Sequence, residues 1–382
     1  MHARCSRILT LAALVALGIA ALPAAADVAP KAPTPGRTID LVICLDVSNS
    51  MDGLINSAKA RLWDIVNELA KVQPTPNLRV ALYSYGHTGY NPQAGWVRKE
   101  LDFTTDLDLV YQKLTALTTR GGTEYVGRVC QAALDEQKWT EDKSALKIIF
   151  VCGNEPATQD PQVNLKELAR KAVTRDIYIN TIYCGNPNNA EALGWKELAD
   201  LAEGRYACID QNRGTVAITT PMDKELIELG NKLNTTYLAY GSLGRERRAN
   251  QLAQDINARQ AGVQAEAGRA AAKGGGLYKN ADWDLVDKLK DDPTFDIKTI
   301  PEADLPEELK KLKPEEREQY VRDMLAKRLA IQKQINELNA RRQSYINEQL
   351  KKTATDGEKA LDEAIRTTLR EQAKKKGIII PD

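Results

Sequence analysis

The feature that most constrains this chain is a regular alternation of short apolar runs with amphipathic helical patterns between residues 37 and 240. Each run is continuously apolar, which is typical of strands buried on both faces of a parallel sheet. Parallel neighbours need a crossover connection, and a helix is the usual crossover. The predicted strands are Ile39–Leu45, Leu78–Tyr85, Ala145–Cys152, Ile177–Tyr183 and Tyr206–Ile209.

Helical patterns fill the segments between these strands, and Val97–Phe103 is predicted as a further strand at a hairpin edge. The pattern therefore predicts an α/β fold with a Rossmann-like, doubly wound, mostly parallel sheet covered by helices on both faces. Ligand sites in such sheets lie beyond the carboxyl ends of the strands. The predicted helices are Ile55–Val72, Leu107–Leu117, Val126–Leu134, Leu165–Val173 and Ala190–Ala202.

Polar side chains follow the first predicted strand at the edge where ligands bind. Asp46, Ser48 and Ser50 occupy alternate positions of a tight loop, so one carboxylate and two hydroxyls can face a common centre. A second loop brings Thr123 directly after a Gly-Gly pair, where the backbone can approach closely. Hard oxygen ligands of this kind suit Mg²⁺ or Mn²⁺ rather than zinc or copper.

With these two motifs in this order, residues 37 to about 240 resemble the von Willebrand factor type A (VWA) family. The resemblance implies a metal-ion-dependent adhesion site (MIDAS) on a Rossmann-like fold. It implies that Asp46, Ser48 and Ser50 contact a cation directly or through water, and that Thr123 completes the set when a ligand is engaged. One coordination position would stay open for an acidic side chain of a protein partner.

The chain departs from the family pattern after the fourth predicted strand. The family usually carries an aspartate in a Thr-Asp-Gly turn at the position where this chain has Gly153. Asn154 or Glu155 could supply a further oxygen ligand, and without either the cation would have one protein carboxylate fewer. A metal-free domain, in which Asp46 and its serines only cap the first helix, is the competing interpretation.

The N-terminal segment has the three parts of a secretory signal peptide. Arg4 and Arg7 precede an apolar run over residues 8–22, and three alanines precede Asp27. The run is shorter than the roughly 20 residues that span a bilayer. We therefore expect export with cleavage near Ala26, no transmembrane segment after cleavage, and a location in the periplasm or cell envelope, since the alanine-rich leader looks bacterial.

Composition argues against several classes of function. The 53 basic and 52 acidic residues nearly balance, which argues against nucleic-acid binding through bulk positive potential. Of the two histidines, His2 lies in the predicted leader, so a site that needs several imidazoles is excluded and a catalytic triad would have to use His87. We therefore expect a protein that is not an enzyme, with a hydrolase as the weakest alternative.

Cysteine usage suggests one pairing. One of the six cysteines, Cys5, lies in the predicted leader, so an odd number would remain in an oxidising compartment. Cys184 and Cys208 lie at the ends of two later strands and are the predicted disulfide pair. Because no Cys-x-x-Cys pair occurs, thiol-redox catalysis is not indicated.

The C-terminal part of the chain is helical and densely charged. Its longest pattern, Pro314–Lys352, places apolar residues on one heptad register that Arg328 and Arg342 interrupt. Either a coiled coil or an amphipathic helix that folds back on its neighbours fits this pattern, and the oligomeric state stays open. The predicted division is signal peptide 1–26, Pro-rich tether 27–37, VWA domain 38–240, helical linker region 241–300 and charged helical or coiled-coil region 301–382.

These expectations combine into one functional hypothesis. The chain is predicted to recognise a protein partner through Mg²⁺ (or Mn²⁺), with the partner presenting an acidic side chain. The alternative is a metal-independent structural scaffold of an envelope complex. The predicted metal ligands are Asp46, Ser48, Ser50 and Thr123, with Asn154 and Glu155 as additional candidates.

Overall fold

The computed structural model describes residues 36–52, 55–209, 218–353 and 356–381. The predicted signal peptide at residues 1–26 lies outside these described residues. Among the helices that are described, none combines the length and the apolar character needed to cross a membrane.

One mixed sheet forms the centre of the fold. Its six strands are arranged in the order β3-β2-β1-β4-β5-β6, and every neighbouring pair is parallel except β2 with β3. The predicted doubly wound, mostly parallel sheet with an antiparallel hairpin edge is confirmed. The strands are β1 (Thr38–Asp46), β2 (Asn77–Tyr85), β3 (Val97–Thr104), β4 (Leu146–Gly153), β5 (Tyr178–Cys184) and β6 (Tyr206–Ile209).

Helices cover both faces of this sheet because the central strands are apolar on both sides. Ile43 and Leu45 of β1 pack on the face that carries α1 and α2, whereas Val42 and Cys44 pack on the face that carries α3, α4 and α5. The strand period of two residues explains this alternation. The helices are α1 (Ile55–Leu69), α2 (Leu107–Ala116), α3 (Val126–Glu136), α4 (Leu165–Thr174) and α5 (Glu191–Leu201).

The C-terminal helices extend one of these two layers. Ile335 and Leu338 of the longest helix, together with Leu369 and Ile378 near the C-terminus, belong to the same apolar core as the α1 and α2 face of the sheet. The apolar core is therefore continuous across residue 240. The helices are α6 (Asp223–Asn234), α7 (Gly241–Ala261), α8 (Val263–Gly274), α9 (Leu285–Asp291), α10 (Glu307–Lys310), α11 (Pro314–Thr353) and α12 (Asp356–Lys375).

The two arginines that interrupt the heptad register of α11 explain how this helix packs. Arg328 is fully buried and donates to Asp284 and Asp287, with its Nη1 lying 2.7 Å from Asp287 Oδ1. Arg342 donates from Nε to Asp223 Oδ1 over 2.8 Å. Because these acids come from α6 and from the start of α9, α11 folds back on its own chain, which is the second of the two predicted arrangements.

The predicted disulfide between Cys184 and Cys208 is contradicted by the strand register. In the β5–β6 pair Cys184 lies opposite Ile209, whereas Cys208 lies opposite Tyr183. Successive residues of a strand face opposite sides of a sheet, so the two thiols project to opposite faces. Cys184 Sγ instead lies 3.3 Å from Cys152 Sγ, and Cys208 Sγ contacts the carbonyl oxygen of Gly185.

Replacing Arg328 should test how strongly α11 is attached. We expect Arg328→Met to lower the free energy of unfolding by about 3–5 kcal/mol, because Asp284 and Asp287 would stay buried without a counter-charge. Urea unfolding followed by circular dichroism measures the change. Lys333→Met is the matched control on the same helix, since the Lys333 side chain is 78% exposed and lies 4.0 Å from Glu337. Equal losses of stability from Arg328→Met and Lys333→Met would show that the buried ion pairs of Arg328 do not hold α11 in place.

Candidate functional site

The carboxyl ends of β1, β2 and β4 meet at one edge of the sheet, and backbone hydrogen bonds hold the loops that follow them together. Val47 N donates to Tyr85 O over 2.9 Å, which joins the first loop to the end of β2. Arg120 N donates to Val47 O over 2.9 Å, and Thr88 N donates to Gly121 O over 2.9 Å. The loop before α3 therefore lies against both strand-end loops.

The structure brings four of the predicted ligands together. Ser48 N donates to Asp46 Oδ1 over 2.8 Å, and the hydroxyl oxygens of Ser48 and Ser50 are 2.7 Å apart. Ser50 Oγ donates to Asn154 Oδ1 over 2.9 Å. Although Ser48 precedes the short 3₁₀ turn Asn49–Met51, its side chain makes no capping hydrogen bond there. The hydroxyls therefore face the site and do not cap that turn.

The second carboxylate oxygen of Asp46 has no protein partner. Asp46 is fully buried, and its Oδ2 makes no hydrogen bond with the described residues. A buried polar atom without a partner is costly and calls for an explanation. The pKa of Asp46 is raised to about 7: burial is the largest cause, hydrogen bonds from Ser48 oppose it, and the charges of Glu124 and Glu155 add to it. The site therefore favours either a proton or a cation at Asp46.

Thr123 and Glu155, the remaining predicted ligands, make no hydrogen bond to this group among the described residues. Thr123 is half-buried in the loop before α3. Glu155 is half-buried, and its Oε2 accepts a hydrogen bond from Gln159 Nε2 over 3.4 Å. Its charge nevertheless reaches the site, because it raises the pKa of both Asp46 and Glu124.

Glu124 is a site residue that the sequence reasoning missed. It is buried, and its charge raises the pKa of Asp46. A Cβ placed on Gly86 would lie 2.8 Å from Asp46 Oδ1 and 3.0 Å from Glu124 Cγ, so both acids flank one small space. The only available sequence signal was an acid directly after Thr123, which belongs to no motif.

Gly153, which replaces the aspartate of the family pattern, has no room for a side chain. A Cβ at this position would overlap the Tyr85 hydroxyl and would lie 2.9 Å from Asp46 Oδ2. Tyr85 is fully buried, and its hydroxyl donates to Cys152 O over 3.1 Å. A tyrosine at the end of β2 thus occupies the space that an aspartate after β4 would need.

The rim of the site carries positive charge. Arg120 is exposed and forms no ion pair with any described residue. The His87 ring stacks on Tyr90 with centroids 4.7 Å apart, and the Arg98 guanidinium lies 4.3 Å from the centre of the same tyrosine ring. Partial burial, followed by the charges of Arg120 and Arg98, lowers the pKa of His87.

The donor set fits a hard divalent cation. Within the described ranges no three His, Cys, Asp or Glu side chains converge as a metal cluster, so a cation here would need hydroxyl and amide oxygens in addition to carboxylates. Oxygen donors of this kind are the ligands that Mg²⁺ and Mn²⁺ prefer. The unpartnered Asp46 Oδ2 is the atom that such an ion would satisfy.

A comparison of the sequence with known families agrees with the strand order and the loop geometry, because residues 40–206 match the profile of the von Willebrand factor type A domain. The fold of these residues is VWA-like. No curated protein matches the chain. The order and directions of the six strands assign the fold without reference to any single relative.

Solved VWA structures resemble this chain only distantly. The VWA domain of SpRpn10 is 19% identical; the match covers 45% of this chain and 86% of that chain, with a TM-score of 0.35. Proximal thread matrix protein 1 from the mussel byssus, in a form with a zinc-occupied MIDAS motif, is 14% identical, with a TM-score of 0.37. That match covers 47% of this chain and 43% of the mussel protein, so it spans less than half of that protein's length.

The lack of space at Gly153 predicts that substitutions at Gly153 and Tyr85 have non-additive effects on stability. We expect Gly153→Ala to lower the free energy of unfolding by about 1–3 kcal/mol, because the added methyl group overpacks against the buried hydroxyl. The cost should shrink in a Tyr85→Phe background, and a double-mutant cycle by urea unfolding in EDTA measures the coupling.

Gly268→Ala is the matched control for this cycle. A Cβ at Gly268, inside α8, meets nothing within 4 Å, so alanine there should leave stability unchanged or raise it by up to about 1 kcal/mol. A cost of Gly153→Ala that is the same with and without the Tyr85 hydroxyl would show that the hydroxyl does not fill this space.

Proposed function

We propose that this chain is a non-catalytic protein-recognition module whose VWA domain binds a divalent cation, Mg²⁺ or Mn²⁺, at its sheet edge. Asp46, Ser48 and Ser50 would hold the ion, with Asn154 beside them. The observation that carries the proposal is the buried, unpartnered Asp46 Oδ2 beside paired serine hydroxyls. A partner carboxylate would take an open coordination position, and the family resemblance adds Thr123 to the ligand-engaged state.

Electrostatics support a cation at this place. Asp46 is fully buried, and the nearby charges of Glu124 and Glu155 are of the same sign. Burying a charged carboxylate without a counter-charge is strongly unfavourable. A divalent ion would relieve both the burial cost and the repulsion among the three acids.

The rim supports a partner that presents acidic side chains. Arg120 lies on the loop before α3 that borders the site and has no ion pair with a described residue, whereas Arg98, on β3, is paired with Glu100. Positive charge around a binding edge attracts acidic partners and speeds their association. The near-neutral chain as a whole supports a protein partner rather than nucleic acid.

The setting of His87 favours recognition over hydrolysis. Its Nδ1 accepts a hydrogen bond from Gly89 N over 2.9 Å, and its ring stacks on Tyr90. A catalytic histidine would instead contact its nucleophile directly or through one water. The imidazole is held by its own loop, which supports a function without catalysis.

The location is part of the proposal. On the basis of the predicted signal peptide at residues 1–26, we infer that the chain acts in the periplasm or cell envelope of a bacterium, where the helical extension would position the VWA domain in an assembly. A metal-independent scaffold of such an assembly is the alternative, and the metal experiment separates the two.

Thermal unfolding with and without metal tests the cation. We expect Mg²⁺ to raise the Tm of the wild type relative to EDTA, because an ion that binds only the native state stabilises it. Asp46→Asn keeps the shape of the side chain and the hydrogen bond from Ser48 N, and it should abolish the shift. No Mg²⁺-dependent shift in the wild type would favour the metal-independent scaffold.

The pH dependence in EDTA provides a second measurement on the same two proteins. Because the folded pKa of Asp46 lies near 7, above that of an unfolded aspartate, the charged carboxylate destabilises the fold at pH 8, and protonation relieves the cost as pH falls through 7. Asp46→Asn should therefore be more stable than the wild type by about 2–4 kcal/mol at pH 8. This difference in the free energy of unfolding should shrink at pH 5. A difference that stays constant between pH 8 and pH 5 would contradict the raised pKa of Asp46.

A simple carboxylate tests the open coordination position. Mn²⁺ bound to the full chain should enhance water proton relaxation, and excess acetate should reduce the enhancement by displacing a bound water. Acetamide, which has the same shape without the charge, should have little effect. The Asp46→Asn variant should show no enhancement to displace. Equal effects of acetate and acetamide would contradict recognition of an acidic side chain.

A further inference from the structure

The proposed cation site lacks a carboxylate that the family pattern places after β4. Gly153 cannot carry a side chain while the Tyr85 hydroxyl fills the adjacent space. Asn154, the next residue, supplies an amide oxygen that accepts from Ser50 Oγ and brings no negative charge. A divalent ion beside Asp46 alone would keep a net positive charge in a buried place.

We infer that Glu124 supplies the second carboxylate of this site, in place of the residue missing at Gly153. This inference rests on the proposed cation binding. Glu124 is only 8% exposed and approaches Asp46 from the side opposite to β4, across the space left by Gly86. Asp46 Oδ1 faces this space, while Oδ2 lies on the Gly153 side and is buried without a described protein partner, which is the independent sign that a ligand belongs at this carboxylate.

The backbone around Glu124 is built for this approach. Gly86 has a φ of +84°, a conformation that favours glycine, and a side chain there would press on both Asp46 Oδ1 and Glu124 Cγ. A Cβ on Gly122 would overlap the carbonyl oxygen of Gly86, so the loop before α3 packs directly on the loop after β2. Two glycines thus let Glu124 reach the end of β1.

Glu124 has no counter-charge of its own. No described basic side chain pairs with it, and burial, followed by the charge of Glu155, raises its pKa. Ser48, itself a predicted ligand, lies beside it, since a Cβ on Gly86 would be 3.0 Å from Glu124 Cγ and 3.4 Å from Ser48 Cβ. A buried carboxylate that faces a second one at 0% exposure is explained if a cation lies between them.

Glu155 is the competing carboxylate, and its surroundings differ. It is half-buried, and its Oε2 is bonded to Gln159. Its main-chain oxygen accepts from Trp195 Nε1 over 2.8 Å, which fixes the backbone at this position. Water can therefore solvate Glu155 in part, whereas Glu124 is nearly removed from solvent.

The assignment has a consequence for the resting protein. Asp46 and Glu124 together neutralise a divalent ion, so the cation should remain bound before any partner arrives. Ser48 and Ser50 then orient the ion through their hydroxyls, which are 2.7 Å apart. The partner's carboxylate would displace water from an ion that is already held.

Calorimetric titration of Mn²⁺ into the full chain tests the inference. Glu124→Gln keeps the shape and the hydrogen-bonding capacity of the side chain and removes its charge. We expect this substitution to weaken Mn²⁺ binding by roughly 10–100-fold, the range seen when groups that support a metal site are removed. Glu155→Gln is the matched control and should weaken binding far less, while Asp46→Asn should abolish it.

The outcomes separate the inference from the proposed function. Wild-type affinity in Glu124→Gln together with lost binding in Asp46→Asn overturns the role of Glu124 and leaves the cation site intact. A larger loss in Glu155→Gln than in Glu124→Gln assigns the second carboxylate to Glu155 and overturns the inference. No Mn²⁺ binding by the wild type overturns both proposals.

A folding control accompanies each titration. Far-UV circular dichroism and Tm in EDTA should show Glu124→Gln at least as stable as the wild type, because the substitution removes a buried charge. If that variant is unfolded, Glu124→Asp retains the charge on a shorter arm and should bind Mn²⁺ more weakly than the wild type. Unchanged affinity in Glu124→Asp would then count against the inference.

Discussion

Asp46 ends the central strand β1, and its carboxylate is fully removed from solvent at the edge where β1, β2 and β4 finish. One of its oxygens accepts from Ser48 N, and the other has no described protein partner. The parallel arrangement of the strands brings the loops of this edge together, and the buried charge determines what they must provide. The serine hydroxyls, Glu124 and the cationic rim are all arranged around this one unfavourable charge.

The buried carboxylate of Asp46 is costly, so the rest of the fold must be stable enough to offset that cost. The C-terminal helices contribute to that frame because their apolar residues share a core with one face of the sheet. Buried polar contacts add to this packing: Arg269 of α8 donates to Asp108 of α2 over 2.6 Å, and Gln372 of α12 exchanges hydrogen bonds with Asn180 of β5. The helical extension thus packs on the VWA-like domain through a shared apolar core and buried polar contacts.

The site shows which parts of a function are visible in sequence. Ser48, Ser50 and Asn154 were predicted because they follow strands whose carboxyl ends had to meet at one edge. Glu124 was missed because its approach depends on Gly86 and on how two loops pack, and neither is visible in a motif. The disulfide prediction failed for a related reason, since strand order was known while the register that sends Cys184 and Cys208 to opposite faces was not.

The sequence by itself determined the α/β fold, the order of its elements and the DxSxS loop, because continuous apolar strands and amphipathic helices have distinct local periods. Tertiary structure decided what lies around that loop. It placed the Tyr85 hydroxyl where an aspartate would fit, set Glu124 beside Asp46, and turned the interrupting Arg328 into a buried ion pair. These outcomes depend on which distant side chains share a small buried space, and no local pattern in the chain specifies that.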